Sequence, residues 1–158
     1  MDIIEARSIH LPRIAELKHA MFQAGGKGHL LAEDFVPLVL ADYQELYGSS
    51  KARHLLAVEG GQIRSMAGGF IKDDIPYRYF KQARYGFLGD VYTLPSSRDL
   101  GLAAKLSGLV LDWLRQEGVD MVRLLASEAA RPIYQRLGFQ DTNEMVLVLS
   151  SGDRQGFS

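Results

Sequence analysis

The chain has 158 residues, of which 47% are hydrophobic and 23% are charged, values typical of a globular domain with an ordinary core. Its formal net charge of −1 argues against a nucleic acid as the main partner, and the lack of cysteine excludes disulfides, a thiol nucleophile and thiolate metal sites. No apolar stretch approaches the roughly 20 residues of a membrane-spanning helix, and the N-terminus lacks a secretory signal, so we expect a soluble cytoplasmic protein with no membrane partner.

The first half of the chain predicts a strand, two helices and a hairpin. In chain order these are a strand over 3–7, helices over 12–24 and 32–47, and hairpin strands over 54–59 and 62–71. Pro12 suits the first turn of its helix, and Pro37 limits the beginning of the next. The dipeptide Gly60-Gly61 between two strand-like runs predicts a tight turn.

The second half predicts a longer alternation of strands and helices after a polar, aromatic-rich connection. In chain order these are the connection 72–84, a strand over 85–93, a helix over 102–117, a strand over 119–125, a short helix ending at Gly138 and a final strand over 144–149. The long helix has its apolar side chains three or four residues apart, as one buried face requires, and Gly118 ends it. Ser127 is placed to cap the short helix.

These elements predict an α+β fold whose sheet is mixed, mostly antiparallel and flanked by helices. The segment 85–125 is a strand–helix–strand crossover, so its two strands should be parallel neighbours. No repeat or linker interrupts the pattern. We therefore expect a single domain over 1–150, followed by a polar tail over 151–158.

The connection between the strand 85–93 and its helix carries an anion-binding pattern. It reads Arg98-Asp99-Leu100-Gly101-Leu102-Ala103. A helix start leaves about four N–H groups without helical acceptors and adds partial positive charge. Gly101 and Ala103 leave room beside these donors, and Arg98 adds a full charge. The pattern predicts a site for a polyanion such as a pyrophosphate.

Two motifs in this half resemble conserved segments of a known enzyme superfamily. Arg98, Gly101 and Ala103, after a strand that ends Val-Tyr-Thr-x-Pro, match the acyl-CoA signature of the GNAT superfamily, the acyl-CoA-dependent N-acetyltransferases. Further on, Ala130 lies four residues before Tyr134, and Gly-Phe follows four residues after it, similar to the superfamily's second segment. The resemblance implies the three-layer GNAT fold, in which the two central parallel strands splay apart.

The resemblance also implies how acetyl-CoA, as cosubstrate, would be held. The backbone of Val91 and Thr93 would face the pantetheine arm. The pyrophosphate would be held by the amides of Arg98, Asp99, Leu100, Gly101, Leu102 and Ala103. Ser127, where the family often has asparagine, would lie near the pantetheine or the adjacent loop.

For catalysis, the resemblance implies that Tyr134 is the acid that protonates the departing thiolate and that the Val91 amide binds the thioester carbonyl. The base is open, because Phe87 stands where many family members have a glutamate. Asp90 is the nearest carboxylate on this strand. It could take the proton, bind the substrate ammonium, or pair with Arg84 or Lys81, and a positioned water is an equal alternative.

Other functional patterns are absent from the sequence. Gly25-Gly26-Lys27-Gly28 lacks the spacing of a phosphate-binding Walker loop. His10, His19, His29 and His54 are scattered without metal-ligand spacing, so we expect surface or loop roles for them and no metal site.

We therefore expect an N-acetyltransferase that moves an acetyl group from acetyl-CoA to a primary amine of a small molecule or peptide in a ternary complex. The alternative is a non-catalytic acyl-CoA-binding or interaction module, which the absent glutamate motivates. Aminoacyl-tRNA as acceptor disagrees with the near-neutral charge. The acceptor should be selected by 25–31, 72–84 and 140–143. Dimers are frequent in the family, and the edge of the final strand could support a homodimer.

Overall fold

The computed structural model describes residues 1–75 and 83–150. Its strands are β1 (Asp2–Glu5), β2 (Ala52–Glu59), β3 (Gln62–Asp73), β4 (Arg84–Thr93) and β5 (Val122–Arg123). Its α-helices are α1 (Leu11–Ala24), α2 (Phe35–Gly48), α3 (Leu102–Gln116) and α4 (Arg131–Arg136). The chain forms two compact units, Met1–Leu125 and Ala126–Ser158, so the whole sheet belongs to the first unit.

The sheet has five strands in the order β1-β2-β3-β4-β5. The first three pairings are antiparallel, and β4 pairs with β5 in parallel, which confirms the predicted mixed, mostly antiparallel α+β sheet. The β2–β3 hairpin turns at Gly60 and Gly61, whose φ angles of 59° and 75° lie in the left-handed region that glycine adopts freely.

Helices α1, α2 and α3 cover the two faces of this sheet, and neighbouring glycines of β3 mark the two sides. A β-carbon at Gly69 would lie 2.7 Å from Val110 Cγ1 and 3.0 Å from the Trp113 ring, so α3 packs directly on that face. A β-carbon at Gly68 would lie 2.8 Å from His54 Nε2, on the side that α1 and α2 cover. The core on this second side includes Leu11, Ile14, Leu17, Tyr43, Met66 and Phe70.

The two parallel strands separate soon after they meet. Only Gly86 and Phe87 of β4 pair with β5, at Val122 and Arg123. β4 continues to Thr93, whereas β5 ends at Arg123, shorter than the predicted strand over 119–125. The splay that the family resemblance implies is therefore present, and it leaves the far part of β4 without a β5 partner in the described chain.

The predicted final strand over 144–149 is wrong for the described residues. This segment has no strand assignment, and Met145, Leu147 and Leu149 are more than three-quarters exposed. An apolar run becomes a strand only where another strand accepts its hydrogen bonds, and the described part of the second unit contains α4 but no strand. The connection 72–84 is described only at its ends, and residues 76–82 and the tail 151–158 lie outside the described residues.

Two glycine-to-alanine changes should have opposite effects on stability. In Gly69→Ala the new methyl group would collide with Val110 and Trp113, so we expect the free energy of unfolding to fall by about 1–3 kcal/mol. Gly108 lies within α3 with nothing within 4 Å of an added β-carbon, so Gly108→Ala should raise it by about 1 kcal/mol. Urea denaturation of the wild type and both variants measures these changes in the free energy of unfolding. Equal effects of the two changes would contradict the packing of α3 on Gly69.

Candidate active site

The connection from β4 to α3 forms a loop whose backbone is bent at two left-handed residues. Thr93 ends β4, and a short 3-10 turn over Pro95–Ser97 follows. Asp99 and Gly101 then have φ angles of 65° and 72°. A left-handed residue next to a right-handed one turns successive amides toward one side, which is how backbone concavities that bind anions form.

The first turn of α3 offers donors that no helical carbonyl accepts. The first bond of this turn runs from the Lys105 amide to the Gly101 carbonyl at 3.1 Å. The amides of Leu102, Ala103 and Ala104 therefore precede the helical ladder. Gly101 has no side chain that could cap these amides. Because α3 is 15 residues long, the dipole of the helix places a partial positive charge at this end.

The space in front of these donors is open. A β-carbon added at Gly101 would have no heavy atom within 4 Å. Arg98 is exposed beside it, and its Nε donates to the Thr93 carbonyl at 3.4 Å. Leu102 behind the loop is buried and anchors the helix in the core. The predicted residues Arg98 to Ala103 thus lie together in one cradle, which combines an exposed positive charge, open amide donors and free space, the features that an anion site needs.

The end of β4 is held firmly against β3. Ser65 is buried, and its Oγ lies 2.7 Å from Thr93 Oγ1 and donates to the Tyr92 carbonyl at 3.2 Å. The Leu94 amide donates to the Arg64 carbonyl at 2.9 Å. The end of β4, from which the cradle loop begins, therefore has a fixed position. It lies next to the edge of β4 that β5 leaves unpaired.

Asp90, also on β4, lies in a buried polar network. Its side chain is 1% exposed, and three groups donate to it. Lys18 Nζ of α1 lies 2.7 Å from Oδ1, whereas Tyr43 Oη of α2 and His54 Nε2 of β2 lie 2.5 Å and 2.8 Å from Oδ2. Both carboxylate oxygens are therefore occupied.

These partners differ from the predicted ones. Of the two cations considered, Arg84 has no ion pair with Asp90 among the described residues, and Lys81 lies outside them. Lys18 and His54 take that place because the Lys18 side chain from α1 and the His54 side chain from β2 reach Asp90 on the same face of the sheet.

The hydrogen-bond pattern assigns the proton on the His54 ring. A carboxylate only accepts, so Nε2 carries the proton that points to Asp90. Tyr47 Oη accepts from the His54 backbone amide at 2.9 Å and lies 2.8 Å from Nδ1, so in the neutral ring its hydroxyl donates there. Tyr47 thereby holds His54 in the tautomer that serves Asp90.

The surface or loop role expected for His54 is therefore wrong, because the residue is completely buried. Its sequence offered a signal: His54 and Leu56 alternate on the inner side of β2, and Tyr43 and Tyr47 lie four residues apart on one face of α2. The sequence gives no such signal for Lys18 on α1, because a lysine exposed on a helix surface occurs in the same sequence pattern.

The remaining predicted residues lie in the second unit. Tyr134 is on α4 and only 8% exposed, and its ring meets Phe139 edge-on at 6.0 Å between centroids. Burial raises the pKa of its phenol above the ordinary value. Ser127 Oγ accepts from the Ala130 amide at 3.3 Å, so it stabilises the turn before α4, while Ala130 is the residue that caps the helix.

The described residues hold neither a metal-binding cluster nor a membrane-spanning helix. No group of three or more histidine or acidic side chains is arranged to hold a metal ion there. No helix in that part of the chain has the length and apolar character to cross a membrane.

The sequence and the fold were compared with known proteins. A family model described as the Acetyltransferase (GNAT) family matches residues 15–139. No curated protein sequence matches the chain.

Several solved structures are similar to this fold. A predicted acetyltransferase from Clostridium acetobutylicum with acetyl-CoA has a TM-score of 0.85 at 22% identity, covering 93% of this chain and 94% of its own. A GCN5-related N-acetyltransferase from Ralstonia eutropha JMP134 gives 0.83 at 22% identity, with coverages of 94% and 97%. An aminoglycoside antibiotic 6'-N-acetyltransferase from Acinetobacter haemolyticus gives 0.70 at 24% identity, with coverages of 97% and 100%.

The family match spans both motifs and most of the described chain, and the cradle and the splayed strands are the features those motifs imply. The protein belongs to the acetyltransferase (GNAT) family.

Proposed function

We propose that the protein is an acetyl-CoA-dependent N-acetyltransferase that acetylates a primary amine of a small molecule or peptide by direct transfer in a ternary complex. The observation that carries the proposal is the cradle over 98–103, with open helix donors and an open space at Gly101. It lies at the end of the strand whose neighbour turns away.

The cradle supports CoA as the molecule bound there. A pyrophosphate needs several converging donors and a favourable potential, and the amides of Leu102, Ala103 and Ala104 with Arg98 supply both. The unpaired part of β4 provides backbone groups for an extended amide-containing arm, in the way a sheet edge accepts another strand. In this proposal Val91 and Thr93 contact the pantetheine, and Ser127 lies near it.

The chemistry needs few protein groups. A neutral amine nitrogen attacks the thioester carbonyl, the bond from carbon to sulfur breaks, and the amine loses one proton while the thiolate gains one. We assign Tyr134 as the donor to the thiolate, because the second family motif contains it. Its raised pKa keeps the phenol protonated at neutral pH. We assign the Val91 amide to the carbonyl oxygen, which becomes negative during attack.

Asp90 is the remaining catalytic candidate, and its surroundings favour an ion-pair role over that of a direct base. Burial alone would raise its pKa, but the hydrogen bond from His54 and the charge of Lys18 together hold that pKa well below the ordinary value. A carboxylate stabilised in this way is a weak proton acceptor. We therefore propose that water takes the amine proton.

The acceptor is proposed to be a small molecule or peptide. Among the similar structures are aminoglycoside N-acetyltransferases, including one in complex with CoA, and aminoglycosides carry primary amines. The alternative is an acyl-CoA-binding module without catalysis. It is favoured by Phe87 on the central strand and by the occupied oxygens of Asp90.

A charge placed in the cradle should abolish CoA binding. Gly101→Glu puts a carboxylate where the pyrophosphate would lie, so we expect the affinity for CoA to fall at least about 100-fold, since apposed like charges cost several kcal/mol. Isothermal calorimetry with CoA and acetyl-CoA measures the loss.

Gly118→Glu is the matched control for this variant. Gly118 follows the other end of α3 and has a φ of 77° with nothing within 4 Å of an added β-carbon, so the backbone strain is comparable. The control should bind CoA like the wild type. Equal binding by the wild type and both variants would contradict the proposed cradle.

Removing the Tyr134 hydroxyl should separate catalysis from binding. Tyr134→Phe keeps the buried ring but has no proton to donate, so we expect kcat to fall at least about 100-fold. Affinity for CoA should stay within about threefold of the wild type. Steady-state kinetics with a panel of primary amines and calorimetry give the two values. Wild-type protein that binds acetyl-CoA but acetylates no amine would favour the binding-module alternative.

The Asp90 ion pair should make stability depend on pH in acid. The pKa of Asp90 is lower in the folded protein, so its stabilisation is complete above the unfolded value of about 4 and is lost as the pH falls below it. At pH 6, Asp90→Asn should lower the free energy of unfolding by about 3 kcal/mol, because it leaves Lys18 facing a neutral group. This difference from the wild type should shrink toward pH 3.

Urea denaturation between pH 6 and pH 3 measures the difference. Asp112→Asn is the control, since Asp112 pairs with Arg115 on the exposed face of α3 and should change stability by less than about 1 kcal/mol. A gap between wild type and Asp90→Asn that stays constant or widens in acid would show that the ionised pair does not stabilise the fold.

A further inference from the structure

The β3–β4 ladder contains one extra residue on β4. The irregularity lies between two paired positions of the ladder, Met66–Tyr92 and Gly68–Gly89. Between them, a single residue of β3 lies opposite Asp90 and Val91 of β4. This is a β-bulge, a feature that re-aims the chain within a strand.

The bulge has an unfavourable backbone conformation at a residue that is not glycine. The φ angle of Asp90 is 53°. The left-handed region costs an L-residue roughly 1–2 kcal/mol, and among non-glycine residues aspartate and asparagine enter it most readily. A strained residue in the middle of a strand persists only where its surroundings hold it there.

The surroundings hold Asp90 from three elements. α1, α2 and β2 each contribute one donor to its carboxylate, from Lys18, Tyr43 and His54. The His54 ring also lies against the partner strand, because a β-carbon on Gly68 would be 2.8 Å from Nε2. Side chain and backbone of the bulge are thus fixed together.

This conformation acts directly on the next amide. The peptide plane between Asp90 and Val91 rotates with the backbone angles of Asp90, so those angles decide where the Val91 N–H points. An N–H that stabilises an oxyanion must be aimed before the reaction, since reorganisation during the reaction removes most of its benefit.

We propose that Asp90 is a positioning residue, whose buried hydrogen bonds lock the bulge of β4 and thereby aim the Val91 amide at the acyl carbonyl. The inference rests on the proposed function, because it gives the Val91 amide its purpose within that reaction. We call the hydrogen bonds that Asp90 accepts from Lys18, Tyr43 and His54 the lock. Tyr47 supports the lock because it fixes the tautomer of His54. The role differs from that of a base, since Asp90 keeps its charge and its partners throughout.

The test uses three variants that change the lock by different amounts. Asp90→Asn keeps the shape, one of the two acceptor oxygens and the tolerance for positive φ, whereas Asp90→Ala removes all of these. Tyr47→Phe leaves the carboxylate intact and removes the hydroxyl that holds the His54 tautomer. Ser50→Ala is the control, because Ser50 also has a positive φ, 58°, but lies in the turn after α2.

The first readout is independent of turnover. The Val91 amide resonance is recorded by NMR with CoA and with acetyl-CoA, and the difference between the two reports the acetyl group. We expect a difference in the wild type, in Ser50→Ala and in Asp90→Asn. We expect its loss in Asp90→Ala and a reduction in Tyr47→Phe, although both variants still bind CoA within about threefold of the wild type.

The second readout is kinetic. Asp90→Ala should lower kcat about 100-fold, the order seen when one oxyanion donor is lost, with little change in KM for acetyl-CoA. Asp90→Asn should retain at least about a tenth of the wild-type kcat. The dependence of kcat/KM on pH should keep its shape in every variant.

The outcomes separate two failures. An acetyl-specific Val91 signal that persists in Asp90→Ala would overturn the positioning role alone. Equal loss of kcat in Asp90→Asn and Asp90→Ala, with a changed pH profile, would also overturn it and assign Asp90 as the base. Wild-type protein that does not bind acetyl-CoA would overturn the proposed function and this inference with it.

Discussion

The buried carboxylate of Asp90 is the constraint on which one whole face of the sheet depends. An ionised carboxylate taken out of water loses several kcal/mol of solvation, and only a full set of donors offsets that loss. Here the donors come from α1, α2 and β2, three elements distant in sequence from β4. Their positions are therefore set by one charge as well as by apolar packing. Burial and the nearby Asp90 charge also raise the pKa of Tyr43, so its hydroxyl stays a donor.

The opposite face of the sheet follows a simpler rule. α3 packs there through buried apolar side chains, and Gly69 allows the helix to approach the strand closely. Leu102 and Leu106 are buried at the beginning of the helix, so the same packing fixes the position of its first turn. The cradle donors are open because the core determines where the helix begins, and no side-chain cap occupies them. Packing on one face thus fixes the first turn of α3, and the polar network on the other face holds the neighbouring strand.

Local signals in the sequence predict most of this architecture. The glycine pair of the hairpin and the apolar spacing of α3 each depend on a few neighbouring residues, and the structure has both features. The pattern over 98–103 is equally local, and it lies at the start of α3 with open space at Gly101. The shortened β5 and the missing strand over 144–149 depend on distant partners, which an apolar run does not specify.

The network around Asp90 was missed for the same physical reason. A histidine, a lysine and two tyrosines become one site only through tertiary contacts that span up to 72 residues of the chain. Each of them, taken alone, has an ordinary explanation on its own element. The positive φ of Asp90 could not be predicted either. Aspartate is common in turns of every kind, so its presence does not indicate a bulge within a strand.

The occupied carboxylate of Asp90 and the bulge that it holds together indicate which protein groups contribute to the proposed catalysis. A carboxylate with both oxygens occupied and a lowered pKa contributes little driving force for deprotonating an amine. The same occupied oxygens make it an effective anchor for the backbone, because an anchor must not exchange partners during the reaction. The protein would then contribute mainly on the electrophile's side, by a pre-aimed amide and a phenol proton, while water removes the proton from the amine. Such a division places few chemical demands on the acceptor beyond a neutral nitrogen at the right distance, so its identity would be decided by the shape and charge of the surrounding surface.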